Sequence, residues 1–185
     1  MKLVVAVTGA TGAVYAVKFL QALKATGVEV HLILSRWAEE TLRLEMGLEP
    51  ETVRNLAAFA YQEDDLGAAV ASGSFRHQGM VIVPCSMKTL AGIAHGYAAN
   101  LVMRAADVTL KEGRKLILVP RETPLSVIHL ENMLALARLG VTIMPPMPAF
   151  YYRPATIDDL VNHLVGRLLD QLDVEHNLIT RWGEA

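Results

Sequence analysis

The sequence predicts an α/β protein with three layers (α/β/α), in which a mostly parallel β-sheet lies between two layers of helices. Short apolar runs rich in Val, Leu and Ile alternate with segments whose apolar residues recur at helical spacing. The chain opens with one such unit, in which the run Lys2–Val7 leads through a glycine-containing turn into a helical pattern. Alternation of this kind is typical of a parallel sheet covered by helices on both faces.

The first strand, Lys2–Val7, is a continuous apolar run, as expected of a strand that is buried on both faces. After it, the apolar residues of Tyr15–Lys24 predict a helix that is closed by Gly27. Further strands are expected at Val28–Leu34, Met80–Val83, Leu116–Val119 and Val141–Met144, and further helices at Arg36–Glu45, within part of Pro50–Ala71, from Leu90, and at Ala98–Ala106, Ser126–Leu139 and Ile157–Leu172.

Composition narrows the class of protein. No linker, repeat or low-complexity segment divides the 185 residues, so we expect one domain over 1–185. Apolar residues make up 52% of the chain and charged residues 19%, which favours burial of some surface against other subunits. The net charge of −2 and the lack of a long basic run give no electrostatic sign of nucleic-acid binding. The single cysteine, Cys85, and the lack of a membrane-length apolar run predict a cytosolic protein without disulfides.

Three loops follow predicted strands and precede predicted helices: Thr8–Gly12, Pro84–Thr89 and Pro120–Pro124. In an open, Rossmann-like sheet, ligands bind beyond the carboxyl ends of the strands, where N–H groups of the helix starts can point at an anion. The first loop lacks the leading glycine of GxGxxG, so a plain tight turn remains an equal alternative to a ligand site. In the second loop two hydroxyls and Lys88 suit a phosphate, although a solvated helix cap has the same composition.

Further cations and aromatic residues lie outside these loops. Arg121 adjoins Glu122 in the third loop, Arg104 and Lys111 flank an Ala-Ala-Asp segment, and Arg167 interrupts an apolar run. Each alone is compatible with a structural role, but together they exceed what one phosphate needs. The six histidines are scattered without metal-site spacing, and no GxSxG motif is present, so neither a metal site nor a serine hydrolase is expected.

Four groups of residues carry a specific resemblance to a known family. They are Pro84-Cys85-Ser86-Met87-Lys88-Thr89-Leu90; Arg104-Ala105-Ala106-Asp107-Val108 with Leu110-Lys111-Glu112; Arg121-Glu122-Thr123-Pro124-Leu125-Ser126 with His129-Leu130-Glu131-Asn132-Met133; and Pro145-Pro146-Met147-Pro148-Ala149-Phe150-Tyr151. The chain resembles the UbiX family of flavin prenyltransferases, which includes members named phenylacrylic acid or aromatic acid decarboxylase small subunits. The resemblance extends from Val4 to about Leu172.

The resemblance implies roles for individual residues. It implies that flavin mononucleotide (FMN) is held by Gly9, Ala10, Thr11, Ser35, Ser86, Met87, Lys88, Thr89 and Arg121. The phosphate of dimethylallyl monophosphate would be surrounded by Arg104, Lys111, Glu122, Tyr151 and Arg167. Glu45 would handle a proton near the flavin, and Trp182, in a tail of about residues 173–185, is aligned loosely with an aromatic residue that covers the prenyl group.

The resemblance also implies the reaction and the assembly. Family members use reduced FMN, whose N5 and C6 are joined to a dimethylallyl group, and the prenylated FMN serves as the cofactor of a UbiD-type decarboxylase. They assemble as dodecamers with a site shared between subunits, in agreement with the apolar composition. The choice of mono- or diphosphate donor, the decarboxylase and the pathway stay open.

Two other functions compete with this interpretation. FMN-dependent cysteine decarboxylases share the fold, but their corresponding loop has Asn where this chain has Lys88, which argues against that reaction. A non-catalytic flavin carrier would need only the phosphate site of FMN, so the additional cations Arg104, Lys111 and Arg167 argue against it.

Overall fold

The computed structural model describes residues 1–179, 181 and 183. Within these residues the strands are β1 Lys2–Val7, β2 Glu29–Leu34, β3 Phe59–Gln62, β4 Gly79–Cys85, β5 Lys115–Pro120 and β6 Thr142–Ile143. The helices are α1 Ala13–Ala25, α2 Arg36–Met46, α3 Pro50–Arg54, α4 Met87–Ala94, α5 Leu101–Lys111, α6 Val127–Arg138 and α7 Ile157–Gln171, with a 3₁₀ turn at Ala69–Ala71. The predicted alternation of strands and helices is confirmed.

The strands form one sheet in the order β3-β2-β1-β4-β5-β6, and every neighbouring pair is parallel. The chain adds β2 and β3 on one side of β1 and then crosses to add β4, β5 and β6 on the other side. The direction of winding therefore reverses between β1 and β4. Such a switch point leaves a crevice beyond the carboxyl ends of the two strands, where open α/β sheets bind ligands.

The segment Pro50–Ala71 was only partly predicted. It is helical at Pro50–Arg54 and in the 3₁₀ turn Ala69–Ala71, but Phe59–Gln62 between them is the edge strand β3. The prediction missed this strand because it has one neighbour and little buried surface. The Phe59 side chain is 52% exposed, so the apolar pattern of a buried strand is absent.

The sheet separates two hydrophobic cores. Alternate residues of β1 illustrate this: Leu3, Val5 and Val7 pack with α1, α2 and α7, whereas Val4 and Ala6 pack with α4, α5 and α6. The central strands are buried on both faces, which explains their continuous apolar sequences. As a consequence, α5 and α7 lie on opposite faces of the sheet.

One helix is poorly covered within a single chain. In α6 only Asn132 and Leu136 are buried, while the exposed large apolar residues of this helix are Val127, Ile128, Leu130 and Leu134. An exposed apolar surface of this kind is typical of a site of contact with another molecule. Across the described ranges, the helices are all too short or too polar to cross a bilayer.

Candidate functional site

A cavity of about 230 Å³ lies at the switch point, beyond the carboxyl ends of β1 and β4. Residues from several parts of the chain line it: Thr8, Gly9, Ser35, Trp37, Glu63, Ser86, Lys88, Thr89, Asn100, Val102 and Met103. Five of them, Gly9, Ser35, Ser86, Lys88 and Thr89, are residues for which the sequence predicted contact with FMN. The fold therefore brings loops from distant parts of the chain to one place.

The hydroxyl of Thr8 joins the two loops at the switch point. Thr8 Oγ1 donates to the carbonyl oxygen of Pro84 at 2.8 Å and accepts from the backbone N–H of Ser86 at 2.8 Å. A threonine hydroxyl can donate one hydrogen bond, and here the carbonyl oxygen of Pro84 accepts it. The Thr8 side chain therefore holds the two loops together at the wall of the pocket.

Gly9 is required by a close approach of two chain segments. A Cβ atom at this position would lie 2.3 Å from Cβ of Trp37, in the first turn of α2. The loop after β1 therefore packs directly on the start of α2. Trp37 itself is 70% exposed at the pocket and was not singled out from the sequence, although a tryptophan at the second position of a predicted helix could have drawn attention to it.

Two helices begin at the pocket, and each is capped by a serine. Ser35 Oγ accepts from the N–H of Ala38 at 3.1 Å, and Ser86 Oγ accepts from the N–H of Thr89 at 3.3 Å. The first N–H groups of a helix have no partner within the helix and attract anions. With the exposed Lys88 beside them, they form a donor set that suits the phosphate of a nucleotide such as FMN.

A carboxylate also lines the pocket, but the protein itself satisfies it. Glu63 Oε1 accepts from the N–H of Arg36 at 2.9 Å, and Glu63 Oε2 accepts from Asn100 Nδ2 at 2.9 Å. Asn100 in turn caps α5 by accepting from the N–H of Met103. These contacts join α2, the segment after β3 and α5. Glu63 and Asn100 could not be recognised from the sequence because their role depends on contacts between residues far apart in the chain.

Glu45 lies against the first predicted FMN-binding loop. Its carboxylate accepts from the hydroxyl of Thr11 and from the backbone N–H groups of Gly12 and Ala13, at 2.9 and 2.8 Å for the two backbone donors. It thereby caps α1, whose N-cap residue Gly12 has a left-handed φ of 107° and no side chain. Thr11 and Glu45 thus contact each other, whereas neither lines the 230 Å³ cavity.

Arg121 and Glu122 lie beside this cavity but line a second one. The backbone N–H of Arg121 donates to the carbonyl oxygen of Cys85 at 3.2 Å, which places it next to the loop that contains Ser86. Both side chains are exposed and line an open groove of about 490 Å³ with residues of the proline-rich segment. Glu122 Oε1 accepts from the N–H of Thr123 at 3.0 Å.

Arg104 and Lys111 lie on α5. The Nε of Arg104 donates to the carbonyl oxygen of Ala71 at 3.2 Å, and Nη1 donates to Asp107 at 2.8 Å. Lys111 is the last residue of α5 and pairs with Glu112, and the hydrogen bond from Lys111 lowers the pKa of the Glu112 carboxyl. These contacts hold both cations on the α5 side of the sheet.

Tyr151 and Arg167 belong to the opposite side of the sheet. The hydroxyl of Tyr151 is 2.9 Å from Nε2 of His163, a residue of α7 that the sequence analysis did not single out. Arg167, one turn further along α7, is exposed, so it does not interrupt a buried face as its place in the apolar run had indicated. Trp182 lies outside the described residues.

The predicted phosphate-binding residues are therefore not gathered in one chain. Arg104 and Lys111 lie on α5, Glu122 lies beyond β5, and Tyr151 and Arg167 lie at α7, on the other face of the sheet. The sheet lies between α5 and α7 of one chain, so Lys111 and Arg167 are carried by helices on opposite faces. Five residues predicted for FMN line one cavity within the chain, whereas the described contacts do not bring the second predicted set together.

Cys85 has the properties of a core residue. Its side chain is fully buried, and burial raises the pKa of the thiol well above its ordinary range. A reactive cysteine needs an accessible thiolate, so this residue is unsuited to nucleophilic chemistry. Among the described residues no group of His, Cys, Asp and Glu is arranged to hold a metal ion.

Comparison with known proteins gives concordant matches over nearly the whole chain. Residues 1–169 match the family model described as Flavoprotein. A protein named "Probable UbiX-like flavin prenyltransferase" from Streptomyces sp. (strain D7) is 60% identical over 183 residues, which are 98% of this chain and 92% of the relative.

Two crystal structures are similar in sequence and in fold. A dodecameric FMN-dependent UbiX-like decarboxylase from Escherichia coli O157:H7 is 58% identical with a TM-score of 0.97, covering 98% of this chain and 99% of that one. AnUbiX (PadA1), in complex with FMN and dimethylallyl pyrophosphate, is 51% identical with a TM-score of 0.97, covering 98% and 97%. The chain belongs to the flavoprotein family and, within it, to the UbiX-like flavin prenyltransferases.

Proposed function

We propose that this protein transfers a dimethylallyl group from dimethylallyl phosphate to N5 and C6 of reduced FMN and so makes prenylated FMN. The observation that carries the proposal is the similarity over almost the whole chain to AnUbiX, whose structure holds FMN and a dimethylallyl pyrophosphate together. The pocket at the switch point supports the flavin part, because its helix starts and Lys88 suit one phosphate.

The cations outside the flavin pocket support the transfer. When a dimethylallyl phosphate ionises, negative charge builds on the leaving oxygens. Arg104, Lys111 and Arg167 are assigned to these oxygens, since preorganised positive groups lower the barrier by stabilising charge where it develops. A carrier that only binds FMN has no use for them.

The remaining predicted residues are assigned to the cation and the proton. Aromatic faces stabilise a positive charge, and the rings of Tyr151 and Trp182 are assigned to the allylic carbon. The hydroxyl of Tyr151 is assigned, with Arg167, to the phosphate. Glu45 is assigned to accept the proton that ring closure releases, and Glu122 to the second phosphate site. Reduced FMN, when bound, supplies the nucleophilic ring atoms. In the described part of the tail, Arg181 pairs with Asp170 and Ile179 packs at Gly166, so this part lies along α7.

Assembly completes the proposed site. We assign this protein a dodecameric assembly like that of the Escherichia coli O157:H7 relative. In such an assembly the exposed apolar residues of α6 can be covered, and α5 of one chain can approach α7 of another. The product would pass to a UbiD-type decarboxylase. We also propose a cytosolic location, which the single free cysteine suits, and assign residues 1–185 to one domain.

A direct test measures the mass of the flavin. The protein is mixed with reduced FMN and dimethylallyl phosphate under anaerobic conditions, and the extracted flavin is analysed by mass spectrometry. A gain of one prenyl group is expected, and dimethylallyl diphosphate in a parallel sample identifies the preferred donor. Flavin recovered only as FMN in both samples would favour a carrier. Carbon dioxide released from a cysteinyl peptide would favour a cysteine decarboxylase.

A further inference from the structure

An aromatic cluster holds Tyr151 at the start of α7. The Tyr151 hydroxyl is 2.9 Å from Nε2 of His163, and the ring of His163 stacks on Tyr152 with 4.9 Å between ring centroids and 6° between planes. The hydroxyl of Tyr152 donates to the carbonyl oxygen of Asp159 at 3.1 Å, in the first turn of α7. The imidazole is thus fixed on one side by a stacked ring and at one nitrogen by a hydrogen bond.

The charge state of the imidazole decides what Tyr151 can do. Burial, and to a smaller extent the positive charge of Arg167, lower the pKa of His163, so the neutral ring prevails at neutral pH. A neutral imidazole has one N–H and one acceptor nitrogen. If Nε2 accepted, the only proton of Tyr151 would point at His163. If Nε2 carries the proton, His163 donates to the Tyr151 oxygen and the phenolic O–H is directed elsewhere.

A phosphate ligand distinguishes these two arrangements. Phosphate oxygens are acceptors, and a tyrosine that binds them must offer its O–H. Only the tautomer with a proton on Nε2 allows this. Arg167, which is assigned to the same phosphate, lies four residues after His163 and therefore on the same side of α7.

We propose that His163 is a positioning residue that donates its Nε2–H to the Tyr151 oxygen and thereby directs the Tyr151 O–H to the phosphate of the prenyl donor. This inference rests on the proposed function, because it assigns Tyr151 and Arg167 to that phosphate. His163 itself touches neither substrate. It acts only through Tyr151, and this dependence makes it separable from a residue that merely packs.

A double-mutant cycle tests the dependence. The variants are Tyr151→Phe, His163→Leu, His163→Gln and the double variant Tyr151→Phe with His163→Leu. The measurements are the KM for dimethylallyl phosphate with reduced FMN in excess, kcat, and the melting temperature of each variant. Glutamine extends an amide N–H to about the place of Nε2, so it keeps the donor while it loses the ring.

We expect the two single variants to lose the same interaction with the prenyl donor. Tyr151→Phe and His163→Leu each raise KM about tenfold, as expected for one hydrogen bond to a charged group. The double variant is no worse than Tyr151→Phe alone, since His163 has nothing left to position. His163→Gln recovers most of the loss. If His163→Leu does not fold, His163→Ala takes its place in the cycle.

Three results would overturn the inference. One is an unchanged KM for folded His163→Leu or His163→Ala, and a second is full additivity in the double variant, which would mean a packing role. The third is an unchanged KM for Tyr151→Phe, which would remove Tyr151 from the phosphate. The gain of a prenyl group by the flavin of the parent protein would survive all three, so failure of the proposed function is recognised separately.

Discussion

The two predicted ligand sites of this protein are built in different ways. The flavin pocket is held together by short contacts within one chain: Thr8 ties the loops after β1 and β4, and Glu63 ties α2 to α5. The residues predicted for the second phosphate are divided by the sheet, with Lys111 on one face and Arg167 on the other. We therefore propose that the fold of one chain forms the first site, whereas assembly completes the second.

The largest effect is expected when assembly is prevented. Ile128 and Leu134 are exposed apolar residues of α6, and changing both to Glu places charges on a surface that must be buried between subunits. Size-exclusion chromatography with light scattering should show smaller particles, and prenyl transfer should fall about 1,000-fold because the cations no longer converge. The flavin pocket should still bind FMN.

Glu131→Gln on the same helix serves as the control, because it alters an exposed polar residue and removes no apolar surface. An assembly of normal size with the double substitution would show that α6 faces solvent in the particle. If FMN binding were lost along with prenyl transfer, the flavin pocket would also depend on assembly, contrary to the proposal.

Removal of one cation should impair the second site without affecting the flavin pocket of the intact assembly. Arg167 is exposed in the single chain, so Arg167→Gln should leave folding unchanged. We expect kcat/KM for dimethylallyl phosphate to fall about 300-fold, in the range found when one group that stabilises developing charge is lost. FMN affinity, measured by titration, should stay at the parent value. The matched control is Arg43→Gln, because the Arg43 guanidinium pairs with Glu40 and Glu49 at the protein surface.

Substitution of Glu45 tests whether its carboxylate accepts a proton in the reaction as well as capping α1. Glu45→Gln should slow conversion about 100-fold, as expected when a proton acceptor is removed, while FMN stays bound. Because the carboxylate also caps α1, the free energy of unfolding should fall by about 1 kcal/mol, measured by urea denaturation. Glu40→Gln, on the same helix, is the control. Conversion at the parent rate would leave Glu45 only the capping role.

The smallest effect is expected from a change in the flavin pocket alone. Gly9→Ala forces Cβ against Trp37, so the loop after β1 must move and FMN affinity should fall about tenfold. Once the protein is saturated with FMN, the KM for dimethylallyl phosphate should be close to that of the parent. Gly67→Ala is the matched control, because a Cβ atom there would meet its nearest neighbour at an ordinary distance of 3.5 Å.

The sequence was informative where the physical signal is local. The central strand β1 was predicted with its observed bounds, since burial on both faces leaves an uninterrupted apolar run. The helix cap considered for the loop that contains Ser86 is also local, because Ser86 accepts from the N–H of Thr89 three positions away. Edge strand β3 was missed because its burial is slight, and no local pattern marks it.

The rest of the site depends on contacts between distant residues. Glu63 and Asn100 meet across 37 positions, and the roles of Thr8 and Glu45 are set by partners 76 to 78 and 32 to 34 positions away. The hydrophobic periodicity of the sequence carries no information about such pairs. The residues proposed for the second site came from the resemblance to a family. The fold shows that the helices carrying Lys111 and Arg167 lie on opposite faces of the sheet.

Subunit complementation tests the division of the second site most directly. Lys111→Ala and Arg167→Ala are each made alone, and then the two chains are co-expressed with separable tags so that mixed particles can be isolated and assayed for prenyl transfer. If a site combines Lys111 of one chain with Arg167 of another, random mixing leaves about a quarter of the sites intact. The mixed particles should then regain about a quarter of parent activity, although each variant alone is nearly inactive. Mixed particles as inactive as the single variants would contradict the account, because both residues would then act from the same chain.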